Sequence, residues 1–475
     1  MTYNKTIIGR HEEQDILKAC VDTEKAEFIA VYGRRRVGKT YLIKQYFKNK
    51  FDFYTSGVYG LKNEDQLENF RQQLTAYGLN GVRKLKNWFE AFAALRTLLE
   101  RKKGRRIVFI DELPWHDTPR SNFLRALESF WNMWAADQKG LKLIVCGSST
   151  SWMINKLLGD KGGLHNRVTK RIKLHPFTLA ETELYLKRQR FQWDRFLILQ
   201  CYMAIGGTPF YLSMLRPDQS VDQNIDRLFF AEDAELKAEY DFLFRSLFND
   251  ALGYRRVIET LAQKMKGMTR KELVEALKIT DNGRLTTILD NLANCDFIRK
   301  YGPFDKKKKG ILYQLTDLYI LFYLRFVSNY HGANPNAWSG MSAGAKNAWL
   351  GYAFEQVCLH HVPQLRKALG ISVIANDVSS WYCRTDEQTA QIDLIIDRAD
   401  GIINLCEMKY SNHIYEITKD YAEHLRERNG FFADVTRTKK TLYLTMVTTY
   451  GVKRNKYYGL IQNNIVMDQL FQSSR

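Results

Sequence analysis

Eight consecutive residues restrict the folds open to this chain more than any other feature: Gly33-Arg34-Arg35-Arg36-Val37-Gly38-Lys39-Thr40. They follow an apolar run, Phe28-Ile29-Ala30-Val31-Tyr32, and precede a helical stretch from Tyr41 to Phe47. The spacing G-x-x-x-x-G-K-[ST] between a buried strand and a helix has a physical meaning. Its glycines let successive backbone N–H groups close around phosphate oxygens, and the helix N-terminus adds partial positive charge. Lys39 then reaches the β- and γ-phosphates of a nucleotide, and the Thr40 hydroxyl can ligate Mg²⁺. The loop from Gly33 to Thr40 therefore implies ATP and Mg²⁺ as cofactors.

Two further apolar runs, Ile107-Val108-Phe109-Ile110 and Leu141-Lys142-Leu143-Ile144-Val145-Cys146, alternate with amphipathic stretches. Continuous apolar strands between helices predict a parallel sheet covered on both faces. The first run ends on Asp111-Glu112. Such a strand delivers Asp111 beside the metal and lets Glu112 polarise a water for attack on the γ-phosphate. At the end of the second run, Gly147-Ser148-Ser149 offers hydroxyls, Ser148 first, that could sense the γ-phosphate; short turn chemistry explains the same residues.

Together these residues resemble the AAA+-related P-loop ATPases of archaea and bacteria, in the broad signal-transduction branch. The opening Ile8-Gly9-Arg10-His11-Glu12-Glu13 and the later Gly206-Gly207-Thr208-Pro209 are similar to that family's start and lid. The resemblance implies an arginine finger shortly after the sensor strand, and Arg167 in Leu164-His165-Asn166-Arg167-Val168 is the candidate. It would act on its own or a neighbouring subunit's nucleotide, making a homo-oligomer the expected partner; a structural ion pair is the alternative.

The rest of the chain divides by pattern. Residues 1–177 are the expected ATPase domain and 178–245 a helical lid. Residues 246–328 hold a capping box, Thr269-Arg270-Lys271-Glu272, a second helix after Asp281-Asn282-Gly283, and two strand-like runs at 297–301 and 311–315. Two helices and a hairpin tipped by Lys306-Lys307-Lys308-Lys309 predict a winged helix-turn-helix whose wing meets a phosphate backbone, or simply four solvated lysines. Residues 329–345, rich in Gly, Asn, Ser and Ala, are the expected linker.

Residues 346–475 read as a second α/β domain, with a helix near 349–361, strands at 371–374, 391–396, 402–408 and 441–446, and a helix near 415–428. Asp393 lies in Gln391-Ile392-Asp393, and Glu407-Met408-Lys409 ends the next strand, where alternation puts Glu407 and Lys409 on one face. If the strands pair, Asp393 joins them. Two carboxylates, Asp393 and Glu407, suit Mg²⁺, and a lysine can stabilise charge on a phosphate. The pattern resembles the PD-(D/E)XK nucleases, and more narrowly the nuclease-like domain that recurs behind such ATPases. That resemblance adds Glu355, in Gly351-Tyr352-Ala353-Phe354-Glu355, to the catalytic set, while Ile392 stands where the superfamily has proline. The alternative is a nucleotide-dependent regulatory switch, or a DNA-binding protein, whose nuclease-like domain is a non-catalytic scaffold.

The expected fold class is thus α/β: a P-loop parallel sheet with a helical lid, a winged helix-turn-helix and a restriction-endonuclease-like domain. The surplus of 71 Lys and Arg over 52 Asp and Glu, a net charge of +19, favours polyanions as partners, with DNA the expected nucleic acid. Seven scattered cysteines without a C-x-x-C pair argue against a disulfide framework or structural zinc. The nine histidines form no metal-spaced group, and Trp381 and Tyr382 are expected in the core. No apolar stretch suffices for a signal peptide or a membrane span, so a cytoplasmic protein without membrane partners is expected.

Overall fold

The apolar runs around the phosphate loop become the middle of an all-parallel sheet. The computed structural model describes residues 7–159, 164, 166–248, 250–304, 310–332, 334–386 and 388–473. They fall into two units, one built from Met1–Pro176 with Ser246–Asn249, the other from Phe177–Arg245 with Asp250–Arg475.

In the first unit, β1 (Glu27–Tyr32), β2 (Phe53–Ser56), β3 (Arg106–Asp111), β4 (Leu141–Gly147) and β5 (Lys170–Lys173) lie in the order β2-β3-β4-β1-β5. Every residue of β3 and β4 is buried. One face packs Phe28, Phe53, Phe70, Trp88, Phe92 and Phe123; the other packs Ile29, Val31, Leu42, Ile43, Phe109 and Ile144. Each such side chain contributes about 1.5–3 kcal/mol by leaving water, which is why these runs stay central. The order brings the C-terminal ends of β1, β4 and β3 side by side. The phosphate loop, Gly147 and Asp111 leave the sheet there.

The second unit opens with helices Leu179–Arg188, Arg195–Ile205 and Val221–Phe229, the first and third started by reciprocal Thr178/Glu181 and Ser220/Gln223 caps. Gly207 is required by close approach: a Cβ there would sit 1.9 Å from the Phe177 carbonyl oxygen. Helices Ala251–Ala262, Arg270–Leu277 and Gly283–Asn294 follow, with the Thr269/Glu272 box formed as the sequence predicts. They cover an antiparallel sheet of β6 (Met268–Thr269), β8 (Leu312–Leu315) and β7 (Ile298–Tyr301), in the order β6-β8-β7. The lysine run 306–309 lies outside the described residues.

The stretch expected to be a linker is anchored. Trp338 is buried, its backbone N–H donates to Asp226 at 2.7 Å and its indole N–H to Asp222 at 2.8 Å. Two hydrogen bonds to carboxylates, the one to Asp226 buried, outweigh the Gly/Asn/Ser composition that suggested a loose segment.

Helix Ala343–His360 then precedes a five-stranded mixed sheet: β9 (Asn376–Arg384), β10 (Thr389–Arg398), β11 (Ile402–Lys409), β12 (Thr441–Thr448) and β13 (Asn463–Val466), ordered β13-β12-β11-β10-β9. Helix Lys419–Thr436 joins β11 to its parallel neighbour β12. The expected strand at 371–374 is absent from this sheet. Gly370, with φ +71°, ends helix Val362–Ala368, and the Ile371 N–H returns to the Arg366 carbonyl at 2.9 Å. Ile371 is thus the buried anchor of a helix stop, and the strand begins at Asn376. On β9, Trp381 is buried as expected, but Tyr382 points to solvent, since neighbours on a strand face opposite ways. Among the described residues no helix is long and apolar enough to cross a membrane.

Candidate functional site

The phosphate loop is shaped by contacts that allow few alternatives. Gly33 has φ +145°, and a Cβ there would lie 2.3 Å from the Leu174 carbonyl oxygen beyond β5. Arg10, buried and itself left-handed at φ 52°, spans from the Val37 carbonyl (3.3 Å) to the His175 carbonyl (2.7 Å). It braces the loop from outside. Gly38, at φ +90°, turns the chain into helix Lys39–Tyr46. Lys39 is buried, and its Nζ donates to the carbonyls of Gly33 and Arg34, both at 2.9 Å. Arg34 is buried, Arg35 half-buried, and Arg36 takes φ 72°.

The neighbouring strand ends complete the set. Thr40 Oγ1 donates to Asp111 Oδ2 at 2.8 Å, so the hydroxyl and carboxylate proposed for one metal already touch. Asp111 Oδ1 accepts the Glu112 N–H at 2.9 Å. Glu112 sits at φ 44°, and its Oε2 accepts from Ser148 twice, through the backbone N–H (3.1 Å) and Oγ (2.8 Å). Burial pushes the Glu112 carboxyl above its ordinary range, partly offset by Lys39. Gly57 admits the Glu112 backbone, since a Cβ there would lie 2.6 Å from the Glu112 carbonyl oxygen. Arg167 is exposed.

In the second unit, Glu355 on helix Ala343–His360, Asp393 on β10, and Glu407 and Lys409 on β11 come within electrostatic reach of one another. The register between β9 and β10 shifts between Ile392 and Ile395, around Asp393. Burial, then the charge of Asp393, pushes the Glu355 carboxyl up to about 8. Glu407 goes the opposite way. Burial works against its charge, but Arg428, Lys409 and Tyr421 outweigh it and bring the carboxyl down to about 2. Its Oε1 accepts from Tyr421 Oη (2.6 Å) and meets Lys409 Nζ (2.9 Å), while Oε2 is held by Arg428. Asp393 accepts from Gln391.

Those engagements bear on the expected metal. Among the described residues no group of three His, Cys, Asp or Glu side chains is arranged to hold a metal ion. The Asp393–Glu407 pair does not fit Mg²⁺ in this arrangement, because both Glu407 oxygens already carry cationic or hydroxyl donors. Thr40 and Asp111, by contrast, fit one, since Mg²⁺ uses few protein ligands beside phosphate oxygens.

Residues 8–215 match the model of an ATPase domain found predominantly in Archaea. Residues 8–215 are an ATPase domain. Over 466 residues the chain is 27% identical to an uncharacterised protein of Methanocaldococcus jannaschii, covering 96% of each. Among solved structures it is similar to the Walker-type ATPase of Pyrococcus abyssi, with 18% identity, 68% of this chain and 97% of that one covered, and a TM-score of 0.48. It is also similar to the Aeropyrum pernix ORC2 protein in its ADPNP–ADP complexes, with 14% identity, 67% and 93% covered, and a TM-score of 0.45.

Within the ATPase domain, every strand-end residue singled out in the sequence lies at the same end of the sheet. The sequence reading left Arg10 and Gly57 without a role. The glycine-arginine pair at 9–10 signals Arg10, because a buried arginine beside a phosphate loop needs carbonyl partners; nothing local signals Gly57. In the second unit Arg428 and Tyr421 were missed, as neither belongs to a short motif.

Proposed function

We propose that the ATPase domain hydrolyses Mg–ATP at Gly33 to Thr40, Asp111 and Glu112. The 2.8 Å contact of Thr40 with Asp111 carries this reading, because it joins the two protein groups that a nucleotide-bound Mg²⁺ requires. Phosphate oxygens replace the Gly33 and Arg34 carbonyls as acceptors for Lys39. Thr40 and Asp111 would hold Mg²⁺, which when bound would supply charge neutralisation on the nucleotide's phosphates. Glu112 accepts a proton from the attacking water as its oxygen bonds to the γ-phosphorus, the bond from that phosphorus to the bridging oxygen breaks with its electron pair left on ADP, and ADP and phosphate leave. Ser148 holds Glu112 in place through two donors, which also lowers its basicity. The exposed Arg167 is the finger, acting across a homo-oligomer. Lys39→Ala is the test: it loses phosphate release in a coupled assay while circular dichroism remains that of the parent. Undiminished turnover sinks the assignment.

For the second unit the reading is action on nucleic acid, with 178–245 as lid, 246–328 as winged helix, and 346–475 as a nuclease-like domain that holds a phosphodiester backbone near Glu355, Asp393, Glu407 and Lys409. The gathering of those four residues from one helix and two strands supports it. Cleavage with Mg²⁺ is its stronger form and requires Glu407 to leave Arg428. The scaffold reading is favoured by that same ion pair. A nicking assay on supercoiled DNA with Mg²⁺ or Mn²⁺ separates them: nicking lost in Asp393→Ala carries cleavage, and binding without nicking carries the scaffold.

A further inference from the structure

The three-stranded sheet reaches the acid cluster. Pro303, just past β7, bridges to Ser380 on β9, and the Phe304 N–H donates to the Ser380 carbonyl at 2.8 Å. The Phe304 ring packs 5.2 Å from Phe432, and Tyr352, one turn before Glu355, donates its hydroxyl to the Met265 carbonyl at 3.3 Å. The edge strand β9 thus has the end of the β7–β8 pair laid against it.

This contact carries Arg299 to the cluster. Its guanidinium lies over the Tyr301 ring at 4.3 Å, and its Nε donates to Gln314 Oε1 at 2.6 Å. Gln314 is buried and fixed in turn by the Met265 carbonyl at 2.6 Å; Tyr301 donates to the Lys266 carbonyl at 2.6 Å. Arg299 is therefore held in one orientation by uncharged partners. Asp393 acts on it through space, and its burial works against its charge. Partly burying a guanidinium on an amide and a ring, with a carboxylate in reach but not bonded, is costly unless an anion completes it. Three other cations of this module are paired: Arg270 with Asp281, Arg284 with Asp250 and Lys264 with Glu272, each at 2.5 Å.

The charge balance points the same way. Arg299, Lys409, Arg428 and Lys266 face Glu355, Asp393 and Glu407, so cations outnumber carboxylates even with all three ionised. A planar fork of donors suits two oxygens of one phosphate better than a point charge does.

We infer that Arg299, from the β7 strand, is a phosphate-gripping residue of this cluster, so that both sheets hold one DNA phosphodiester together. The inference rests on the reading of the cluster as a nucleic-acid backbone site. Arg299 is a binding residue here.

The experiment uses the full chain and a fluorescent DNA duplex, with anisotropy read across a salt series. Arg299→Gln weakens binding about tenfold or more, as loss of a charged hydrogen bond does. It also lowers the slope of log affinity against log salt by about 0.9, one phosphate contact. Arg299→Lys keeps the slope and recovers part of the affinity. Asp393→Asn does not weaken binding, since it removes a negative charge. A parental denaturant-unfolding profile in Arg299→Gln verifies folding. Parental affinity and slope in Arg299→Gln overturn the inference while leaving the nucleic-acid reading intact. Absence of binding by the parent chain overturns that reading itself. A loss of affinity with an unchanged slope, equal in Gln and Lys variants, marks Arg299 as structural and also overturns the inference.

Discussion

The nucleotide site and the acid cluster use similar residue types to opposite ends. In the first, Lys39 leans on two backbone carbonyls and Asp111 on a hydroxyl and an N–H, so among the described residues neither of these two charges meets an opposite charge at bonding distance. In the second, Glu407 is bonded to Arg428 and Lys409 together. Carbonyl and hydroxyl partners are exchanged for a ligand at little cost, whereas a buried ion pair resists separation. One site is ready for a cation and its phosphates; in the other the Glu407 carboxylate is already balanced by its own cations. That difference is why Mg²⁺ fits at Thr40 and Asp111 and not at Asp393 and Glu407.

Breaking the comparison begins with the largest effect. Arg167→Ala should depress ATP turnover by about 10³ to 10⁵, the range of arginine fingers, and parental specific activity should rise with protein concentration. Turnover indifferent both to dilution and to the mutation removes the finger. Glu112→Gln should lower turnover by about 10² to 10⁴ while ATP binding persists, since only the base is lost. Asp393→Asn, in the other unit, should leave turnover alone; a fall comparable to that of Glu112→Gln would mean the two sites are one machine chemically.

The cations should differ in what they do for stability. Arg428→Ala leaves Glu407 Oε2 without its cation, with only Lys409 and Tyr421 on Oε1, and should destabilise the fold by up to about 3–5 kcal/mol in denaturant titration. Lys39→Ala, whose partners are carbonyls, should cost about 1 kcal/mol per lost hydrogen bond or less. Equal losses would show that the two sites are not differently built.

The smallest effect is a pH dependence. Glu355 is raised from 4.5 to about 8, so between those values the folded chain holds a proton that the unfolded chain releases. Stability contributed there falls as pH rises through that window. Glu355→Gln should therefore become more stable relative to the parent from pH 5 to pH 8, as followed by thermal melts. Glu407, lowered from 4.5 to about 2, gives the reverse: its contribution is present above 4.5 and is lost as pH falls toward 2. A flat difference between parent and Glu355→Gln would mean that Glu355 is solvated.

By itself the sequence determined the parallel sheet, the phosphate loop and the Thr269 cap, because each follows from residues adjacent in the chain. Three apolar runs, two of them wholly buried and the first buried up to Tyr32, and one loop of fixed spacing leave few arrangements, and the strand ends carry Asp111, Glu112 and Ser148 to the loop by sheet order. The convergence of Glu355, Asp393 and Glu407 was legible as a pattern, since pairing of β10 with β11 follows from their adjacency. What those residues are bonded to was not. Arg428 lies 21 positions from Glu407, Arg299 approaches Asp393 from another sheet, and Trp338 finds Asp226 across 112 positions. Such partners are chosen by tertiary packing, because a buried charge takes whichever compensating group the fold delivers, and no local spacing encodes that choice.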